Sequence, residues 1–364
     1  MSELTEVEVL GRIDGFTNPE SAEMLPDGET IVVSNAAITL VPSFRGGKGL
    51  TYRQGESYVS TVRFTGDGLE PVAERLIEGL TGTLGTDVLR QGTATYPAGT
   101  VFAASGGKPI TADGETVLPD GPDVRPQVLA YNPLTGEKLP PLPLWQGSVV
   151  AGAFNAFEQP NGLAVGLNGD VYVSDIPNTN PAGALPPPVD AAVYRIPHSS
   201  LDAIAAGDPA AAGTIQRVVM MPGWVNGVTV APADGSVWAV SCEAQCPVGG
   251  GAYQLLPENF VSGEQPAPRF RDLGGPPGGF LDGISVTRRG AVVVSNPALA
   301  EIYVLRPDGT RTQLEFEGAD GIGSPADINV CYPKALDGEP ALLVPDVSAR
   351  GGTHTLTLLD LSGY

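Results

Sequence analysis

The sequence has few basic residues, few cysteines and no long hydrophobic run. Lys and Arg total 20 against 41 Asp and Glu, which gives a net charge of −21. Phosphate backbones and anionic membrane surfaces attract basic surfaces, so this balance argues against nucleic-acid and membrane partners. No stretch approaches the roughly 18 apolar residues that a membrane-spanning helix needs. The acidic excess suits solubility or a salt-adapted surface, and it is also compatible with cation binding.

The cysteines and the N-terminal residues favour a cytoplasmic location. The first residues, MSELTEVEVLGRIDG, lack the basic and apolar regions of a signal peptide. Cys242, Cys246 and Cys331 are too few for a disulfide framework. Cys242 and Cys246 could pair or bind a metal, but no histidine or further cysteine stands near them. Plain loop cysteines are therefore the simpler interpretation, and a zinc site is disfavoured.

Glycine and proline are abundant, and valine-rich runs alternate with them. The chain contains 48 Gly and 35 Pro, a composition typical of many short strands and turns rather than long helices. One phrase recurs: a polar residue, an apolar run, a turn with Gly, and a β-branched run ending in Ser. Four clear copies are PESAEMLPDGETIVVSN, PNGLAVGLNGDVYVSD, VNGVTVAPADGSVWAVS and LDGISVTRRGAVVVSN. Two weaker copies begin at Thr86 and Pro325.

Each copy reads as a β-hairpin, and two further strand-like runs follow most copies. Six units of four strands predict an all-β, six-bladed β-propeller with four-stranded antiparallel blades. We expect one domain over residues 1–364, with the N-terminal strand TEVEVLGRI closing the last blade beside HTLTLLDL. The best short helix candidate is HSSLDAIAAGD at 198–208, capped by Ser199 or Ser200.

The first strand of each blade lines the central channel of a propeller, so its opening residue lies at one rim. The predicted opening residues are Glu20, Thr86 or Asp87, Asn161, Asn226, Asp282 and Asp327. Four of these offer oxygen donors at one register of the repeat, which is what Ca²⁺ prefers. The simpler alternative is that each polar residue caps a strand end through an Asx-type hydrogen bond. Asp87 and Asp327 belong to copies with longer hairpins, which leaves their register open.

These motifs resemble the regucalcin/gluconolactonase-like six-bladed propellers, to which diisopropylfluorophosphatase is similar in plan. The resemblance implies a catalytic calcium held by Glu, Asn, Asn and Asp from the first, third, fourth and fifth blades. The matching residues are Glu20, Asn161, Asn226 and Asp282. The family often has EGP after its Glu whereas this chain has ESAEM, which makes Glu23 a rival ligand. The second calcium of the phosphatase branch uses a sixth-blade His, and none occurs near Asp327.

The resemblance implies a calcium-dependent hydrolase that acts on a lactone, ester or related electrophile, although another divalent cation could serve. Bound calcium would act as a Lewis acid. Asp282 would be the catalytic residue, either as general base toward water or as a direct nucleophile. Further candidates for the pocket rim are Glu23, Asp87, Asp175 and Asp327. No G-x-S-x-G elbow is present, and His198 and His354 do not fit a serine-hydrolase triad.

Four long loops connect second and third strands, and all are expected on the face that carries the predicted calcium ligands. They span residues 36–57, 106–126, 176–191 and 242–251. Loops of this length in a compact domain are typically functional lids or disordered. Their Leu, Pro, Phe and Gly content predicts a small-molecule substrate bulkier and less polar than a sugar lactone. Two alternatives are a metal-assisted lyase, isomerase or cyclase, and a non-catalytic binding propeller with a structural calcium. The sequence does not determine the oligomeric state.

Overall fold

The fold is built from short strands arranged as six antiparallel sheets around an axis. We describe a computed structural model, and its described residues are 3–42, 48–106, 125–145, 148–150, 160–175, 191–219, 224–242, 251–262, 270–273, 281–306, 308–317, 322–348 and 353–364. The innermost strands of neighbouring sheets contact each other all the way round, so the sheets are the blades of a closed propeller. The predicted six-bladed propeller is confirmed.

Strands of the first three blades follow one another along the chain. The chain starts with β1 (Glu3–Glu6) and β2 (Val9–Asp14). Blade one contains β3 (Pro19–Met24), β4 (Thr30–Asn35), β7 (Ser57–Phe64) and β8 (Leu69–Leu80), with the hairpin β5 (Ile38–Pro42) and β6 (Lys48–Tyr52) inserted before β7. Blade two contains β9 (Thr86–Val88), β10 (Val101–Ser105), β11 (Gln127–Tyr131) and β12 (Lys138–Pro143). Blade three contains β13 (Pro160–Val165), β14 (Val171–Asp175), β15 (Ala192–Ile196) and β16 (Gln216–Val219).

The remaining blades repeat the pattern, and the N-terminal strands complete two of them. Blade four contains β17 (Trp224–Val230), β18 (Val237–Cys242), β19 (Gly251–Leu255) and β20 (Phe270–Asp272). Blade five contains β21 (Ile284–Val286), β22 (Val292–Asn296), β23 (Glu301–Leu305) and β24 (Arg311–Glu315), and β1 adds to it in parallel. Blade six contains β25 (Asn329–Cys331), β26 (Ala341–Pro345), β27 (Thr355–Asp360) and β2. The predicted closure is confirmed, and the stretch TEVEVLGRI proves to be shared between two blades.

Helix is scarce in the described part of the chain. A short α-helix covers Leu201–Ala205, preceded by a 3₁₀ turn at His198–Ser200, as the 198–208 pattern predicts. Ser200 is its N-cap, but the Ser200 side chain makes no capping hydrogen bond. Further 3₁₀ segments are Pro209–Thr214, Pro257–Asn259 and Lys334–Leu336. Across these ranges, no helix has the length and apolar character needed to cross a bilayer.

The hydrophobic core is divided among the seams between neighbouring blades, with one buried cluster at each seam. Successive side chains of a strand point to opposite faces of the sheet. In β22, Val292 and Val294 therefore face blade four, whereas Val293 faces blade six. Because both faces are covered, second strands read as continuous β-branched runs instead of alternating apolar and polar residues.

Candidate functional site

Four glycines bring the first strands of neighbouring blades into backbone contact near the axis. They are Gly85, Gly162, Gly227 and Gly283, in blades two to five. A Cβ atom placed on Gly162 would lie 2.6 Å from the Asn226 carbonyl oxygen and 2.7 Å from the Val228 nitrogen. Real Cβ atoms do not approach backbone atoms so closely, so a side chain here would push the blades apart. These contacts set a common register for the blades.

Hydrogen bonds between blades fix the same register independently. The Gly85 N–H donates to the Asn161 carbonyl (3.0 Å), and the Gly227 N–H donates to the Asp282 carbonyl (2.7 Å). Asp327 N–H donates in the same way to the Glu20 carbonyl (2.9 Å). We call the residue immediately before each glycine, and its equivalents in blades one and six, the ring position. From blade one to blade six, the ring position holds Glu20, Leu84, Asn161, Asn226, Asp282 and Ala326.

The register corrects two of the predicted opening residues. In blade two the ring position belongs to Leu84, so the prediction of Thr86 or Asp87 was wrong. In blade six it belongs to Ala326, and Asp327 occupies the place that blades two to five give to glycine, with its Cα against Gly283. Both errors come from longer hairpins. In these blades the number of residues before the turn no longer indicates which residue contacts the next blade near the axis. The residues predicted for blades one, three, four and five all share the ring position.

The Asn161-Gly162 pair lies in a strand and does not form a turn. The pairing of β13 with β14 shifts between Pro160 and Leu163, which marks a bulge. The Gly162 N–H donates to Ser174 Oγ (2.7 Å), and Ser174 Oγ donates to the Asn226 carbonyl of the next blade (2.5 Å). The serine that ends the repeat therefore joins one blade to the next. Blade five repeats this arrangement with Gly283, Ser295 and Ala326.

The ring side chains are removed from water, and two of their oxygens have no partner. Glu20, Asn161 and Asn226 are 4%, 8% and 2% exposed, and Asp282 is half-buried. Glu20 Oε2 and Asn226 Oδ1 accept no hydrogen bond from any described residue. The Asn226 side chain instead hydrogen-bonds to Asp282, which lowers the pKa of that carboxyl. Buried oxygens without partners are costly. Asn226 therefore does not cap a strand end through its Oδ1.

Three carboxyl groups at or beside the ring position, Glu20, Asp282 and Asp327, influence one another electrostatically. Burial and the neighbouring Asp282 and Asp327 raise the pKa of Glu20 well above its ordinary value. Burial raises the pKa of Asp282 to about 7, against the opposing effect of Asn226. Burial and then Asp282 raise the pKa of Asp327 to about 8, and the Ser21 hydroxyl opposes this. Like charges crowded in a poorly solvated site resist ionisation, and a cation bound among them would offset their repulsion.

A cavity of about 610 Å³ opens at the lower face, where the first strands end. Three predicted rim residues, Glu23, Asp87 and Asp327, line this cavity and lie below the ring position. The Asn329 amide donates to Glu23 Oε2, and Asp87 Oδ2 accepts from the Val165 N–H at 2.6 Å. Burial and then Asp87 raise the pKa of Glu23 well above its ordinary value, and burial raises that of Asp87 to about 6. Glu23, the rival ligand, is thus outside the ring register.

The remaining sequence candidates lie elsewhere. Asp175 is buried at the C-terminal end of β14, next to segment 176–190, which lies outside the described residues. His198 sits near a lower-face turn with its Nε2 2.9 Å from the Gln91 carbonyl oxygen, and His354 stands just before β27. Cys331 is buried with a free thiol. Cys246 lies outside the described residues, as do segments 107–124, 176–190 and 243–250, which hold most of three predicted loops.

Among the side chains that the structure describes, no three His, Cys, Asp or Glu residues form a ready metal cluster. Any cation at the ring position would therefore depend on the amide oxygens of Asn161 and Asn226 as well as on two carboxylates. Sequence reasoning found these amides through the repeat. It missed the role of the glycines and serines, although their recurrence beside the ring position and at the repeat end was the available signal.

Several solved structures are similar to this chain over nearly its whole length. A structure described as a candidate gluconolactonase covers 96% of this chain and 91% of its own, with 15% identity and a TM-score of 0.51. A glucose dehydrogenase covers 98% of both chains, with 14% identity and a TM-score of 0.54. This chain has the fold of these proteins. A Dyadobacter fermentans protein of unknown function also matches over 97% of this chain and 99% of its own (15% identity, TM-score 0.55).

At such identities the likeness establishes the fold alone. No family model matches the chain, and no curated protein sequence matches it. The expected similarity to gluconolactonase-type propellers is confirmed at the level of the fold. The assignment of ligands and of chemistry depends on the ring position itself.

Proposed function

We propose that the protein is a calcium-dependent hydrolase that opens a lactone or cleaves an ester. One observation carries the proposal: Glu20, Asn161, Asn226 and Asp282 share the ring position, and two of their buried oxygens lack partners. Two carboxylates and two amides match the all-oxygen donor set that Ca²⁺ takes at about 2.3–2.6 Å. Their combined charge balances a divalent cation. Four protein ligands leave coordination positions for water and substrate.

Calcium bound here would polarise the substrate carbonyl as a Lewis acid. Asp282 is the proposed general base: its carboxylate takes a proton from water while the water oxygen bonds to the carbonyl carbon. The C–O bond to the leaving oxygen then breaks, and that oxygen receives the proton back from Asp282. A lactone thus gives a hydroxy acid. The Asn226 side chain hydrogen-bonds to the Asp282 carboxyl, and we propose that this contact orients the carboxylate toward the water.

Because two of the six ring positions are apolar, we propose that the substrate is less polar than a sugar lactone. Leu84 and Ala326 occupy the ring position in blades two and six, on either side of Glu20. Ile38 and Tyr52, at the base of the β5–β6 hairpin, pack against the buried cluster that contains Leu84. Apolar walls with a few polar groups are typical of small-molecule pockets. We therefore propose that an apolar part of the substrate lies beside blades one and two.

The test combines calcium titration with a substrate panel of lactones, aryl esters and phosphotriesters, assayed with and without chelator. Asp282→Asn retains an oxygen ligand and loses basicity, so we expect calcium binding to persist while the rate falls about 100-fold or more. The matched control is Asp337→Asn in a lower-face turn of blade six, which should keep the parental rate. Turnover that is indifferent to chelator would contradict the proposal. Calcium binding without turnover would favour a binding propeller, and turnover without addition of water would favour a lyase or isomerase.

A further inference from the structure

Asn18 stands two residues before Glu20 in an uncommon backbone conformation. Its φ is 53°, in the left-handed region, and it is 6% exposed. Left-handed backbone is costly for most residues, and asparagine tolerates it better than other residues with a Cβ. Asn18 lies in the short connection between β2 of blade six and β3 of blade one. This conformation therefore occurs where the chain crosses from one blade to the next.

The Asn18 side chain and backbone join these two blades. Asn18 Nδ2 donates to the Val347 carbonyl of blade six at 2.7 Å, and it lies 3.5 Å from His354 Nδ1. The Asn18 carbonyl accepts from the Ala36 N–H of blade one at 2.9 Å. An amide buried in this way is held by specific partners and is not free to rotate toward water. The segment leading into Glu20 is thereby anchored to both blades.

Glu20 is the one oxygen-bearing ring residue without an oxygen-bearing neighbour in the ring. Asn161, Asn226 and Asp282 lie on three consecutive blades, whereas Glu20 is separated from Asp282 by Ala326 of blade six. The position of Glu20 relative to Asp282 is therefore set across blade six. Several described contacts join the start of blade one to blade six: the Asn18 amide on Val347, the Asp327 N–H on the Glu20 carbonyl, the Ser21–Asp327 bridge and the Asn329 amide on Glu23.

We propose that Asn18 is a positioning residue that places the Glu20 carboxylate for the calcium ion of the proposed function, on which this inference rests. Groups that orient metal ligands commonly change metal affinity 10- to 100-fold when removed. Without the amide, the residues that lead into Glu20 lose their hydrogen bond to Val347 of blade six, and the Glu20 carboxylate is held less firmly relative to the other ligands. A merely structural asparagine would lower the stability of the protein and leave calcium affinity unchanged.

The experiment compares calcium affinity by calorimetry with the stability of the calcium-free protein. Asn18→Gly keeps the left-handed backbone, which glycine adopts readily, and deletes the amide. Asn18→Asp is a second variant of nearly the same shape that cannot donate to Val347, and it serves if the glycine variant is poorly folded. Asp337→Gly is the matched control, since Asp337 also has a left-handed φ, 52°, and lies in a lower-face turn of blade six.

We expect calcium to bind both Asn18 variants at least about 10-fold more weakly than the parent, and Asp337→Gly to bind like the parent. Affinity within twofold of the parent in folded Asn18→Gly or Asn18→Asp would overturn the inference while leaving the proposed function intact. Absence of calcium binding by the parent protein would overturn both, and the parental titration alone reveals that outcome.

Discussion

Replacing Gly162 by Ala tests whether the hub contacts control both stability and the candidate site. The new Cβ would lie 2.6 Å from the Asn226 carbonyl oxygen and 2.7 Å from the Val228 nitrogen. Both are backbone atoms of β17 inside a blade, so no flexible side chain can move aside. Blades three and four would have to separate near the axis by several tenths of an ångström. Overpacking of this kind typically costs about 1–3 kcal/mol.

A smaller effect of opposite sign accompanies the substitution. Alanine restricts the unfolded chain more than glycine does, which stabilises a protein by about 0.4–1 kcal/mol where the native backbone permits it. The net expectation is a loss of about 1–2 kcal/mol in the free energy of unfolding, measured by urea denaturation without calcium. Gly213→Ala is the matched control, because no atom lies within 4 Å of its added Cβ. It should change the free energy by no more than about 0.5 kcal/mol.

The same substitution should weaken calcium binding, because Gly162 adjoins Asn161 and presses on the Asn226 backbone. Displacing two of the four proposed ligands lowers affinity even if each side chain remains intact. Calorimetry on Gly162→Ala and Gly213→Ala separates this effect from general destabilisation. Parental stability in Gly162→Ala would refute the backbone contact between blades. Parental calcium affinity combined with reduced stability would show that the ring position is not the calcium site.

Two further predictions concern pH and the N-terminal strands. Calcium affinity should fall as pH drops below about 7, because protons compete with calcium for Glu20 and Asp282, whose pKa values burial raises. Calorimetry in two buffers of different ionisation enthalpy should detect proton release when calcium binds. Absence of proton release would contradict the assignment of these two residues as ligands. Burial also raises the pKa values of Asp282 and Asp327, to about 7 and about 8, so the stability that these two groups give the calcium-free protein is present at low pH and is lost as pH rises through about 7–8. Saturating calcium should reverse that loss in thermal melts. Val7→Pro removes the N–H that donates to the Glu315 carbonyl of blade five (2.8 Å) and should lower the free energy of unfolding by about 1 kcal/mol. Hydrogen exchange should also become faster at the neighbouring Asp360 N–H, which donates to the Glu8 carbonyl (2.9 Å). Glu6→Pro is its control, since strand alternation turns that N–H away from blade five, and equal effects of the two prolines would contradict the pairing.

The fold could be predicted from the sequence because its signals are local and repeated. Runs such as IVVSN and AVVVSN are long enough to identify a buried strand, and the Gly turns at Gly28, Gly169 and Gly290 have the positive φ that turns require. The repeat also gave the ring residues in the four blades with regular hairpins. Each of these inferences needs only the order of residues within about 17 positions.

The hub register could not be predicted in blades two and six, because contacts between blades decide it. Leu84 reaches the ring position through Gly85, which packs on Leu163 and Gly162 of the next blade. The recurring glycine, here Gly85, was the local signal for that contact, but the polar Asp87 nearby drew the prediction to the wrong residue. Asn161-Gly162 was ambiguous for the same reason. The pair favours turns in isolation, and only the approach of blade four explains the glycine.

The closure of blade six has a consequence for how the chain folds. Arg12 Nε donates to Thr357 Oγ1 at 3.1 Å, although the two residues are 345 positions apart. Bringing such distant segments together carries the largest loop-closure entropy in the ring and tends to slow folding. During synthesis β2 emerges first, but it cannot pair until β27 has been made. The edge of β27 stays open until β2 pairs with it. Until β2 and β27 pair, the unfinished propeller therefore has an open sheet edge. In that interval the chain is most exposed to pairing with another chain.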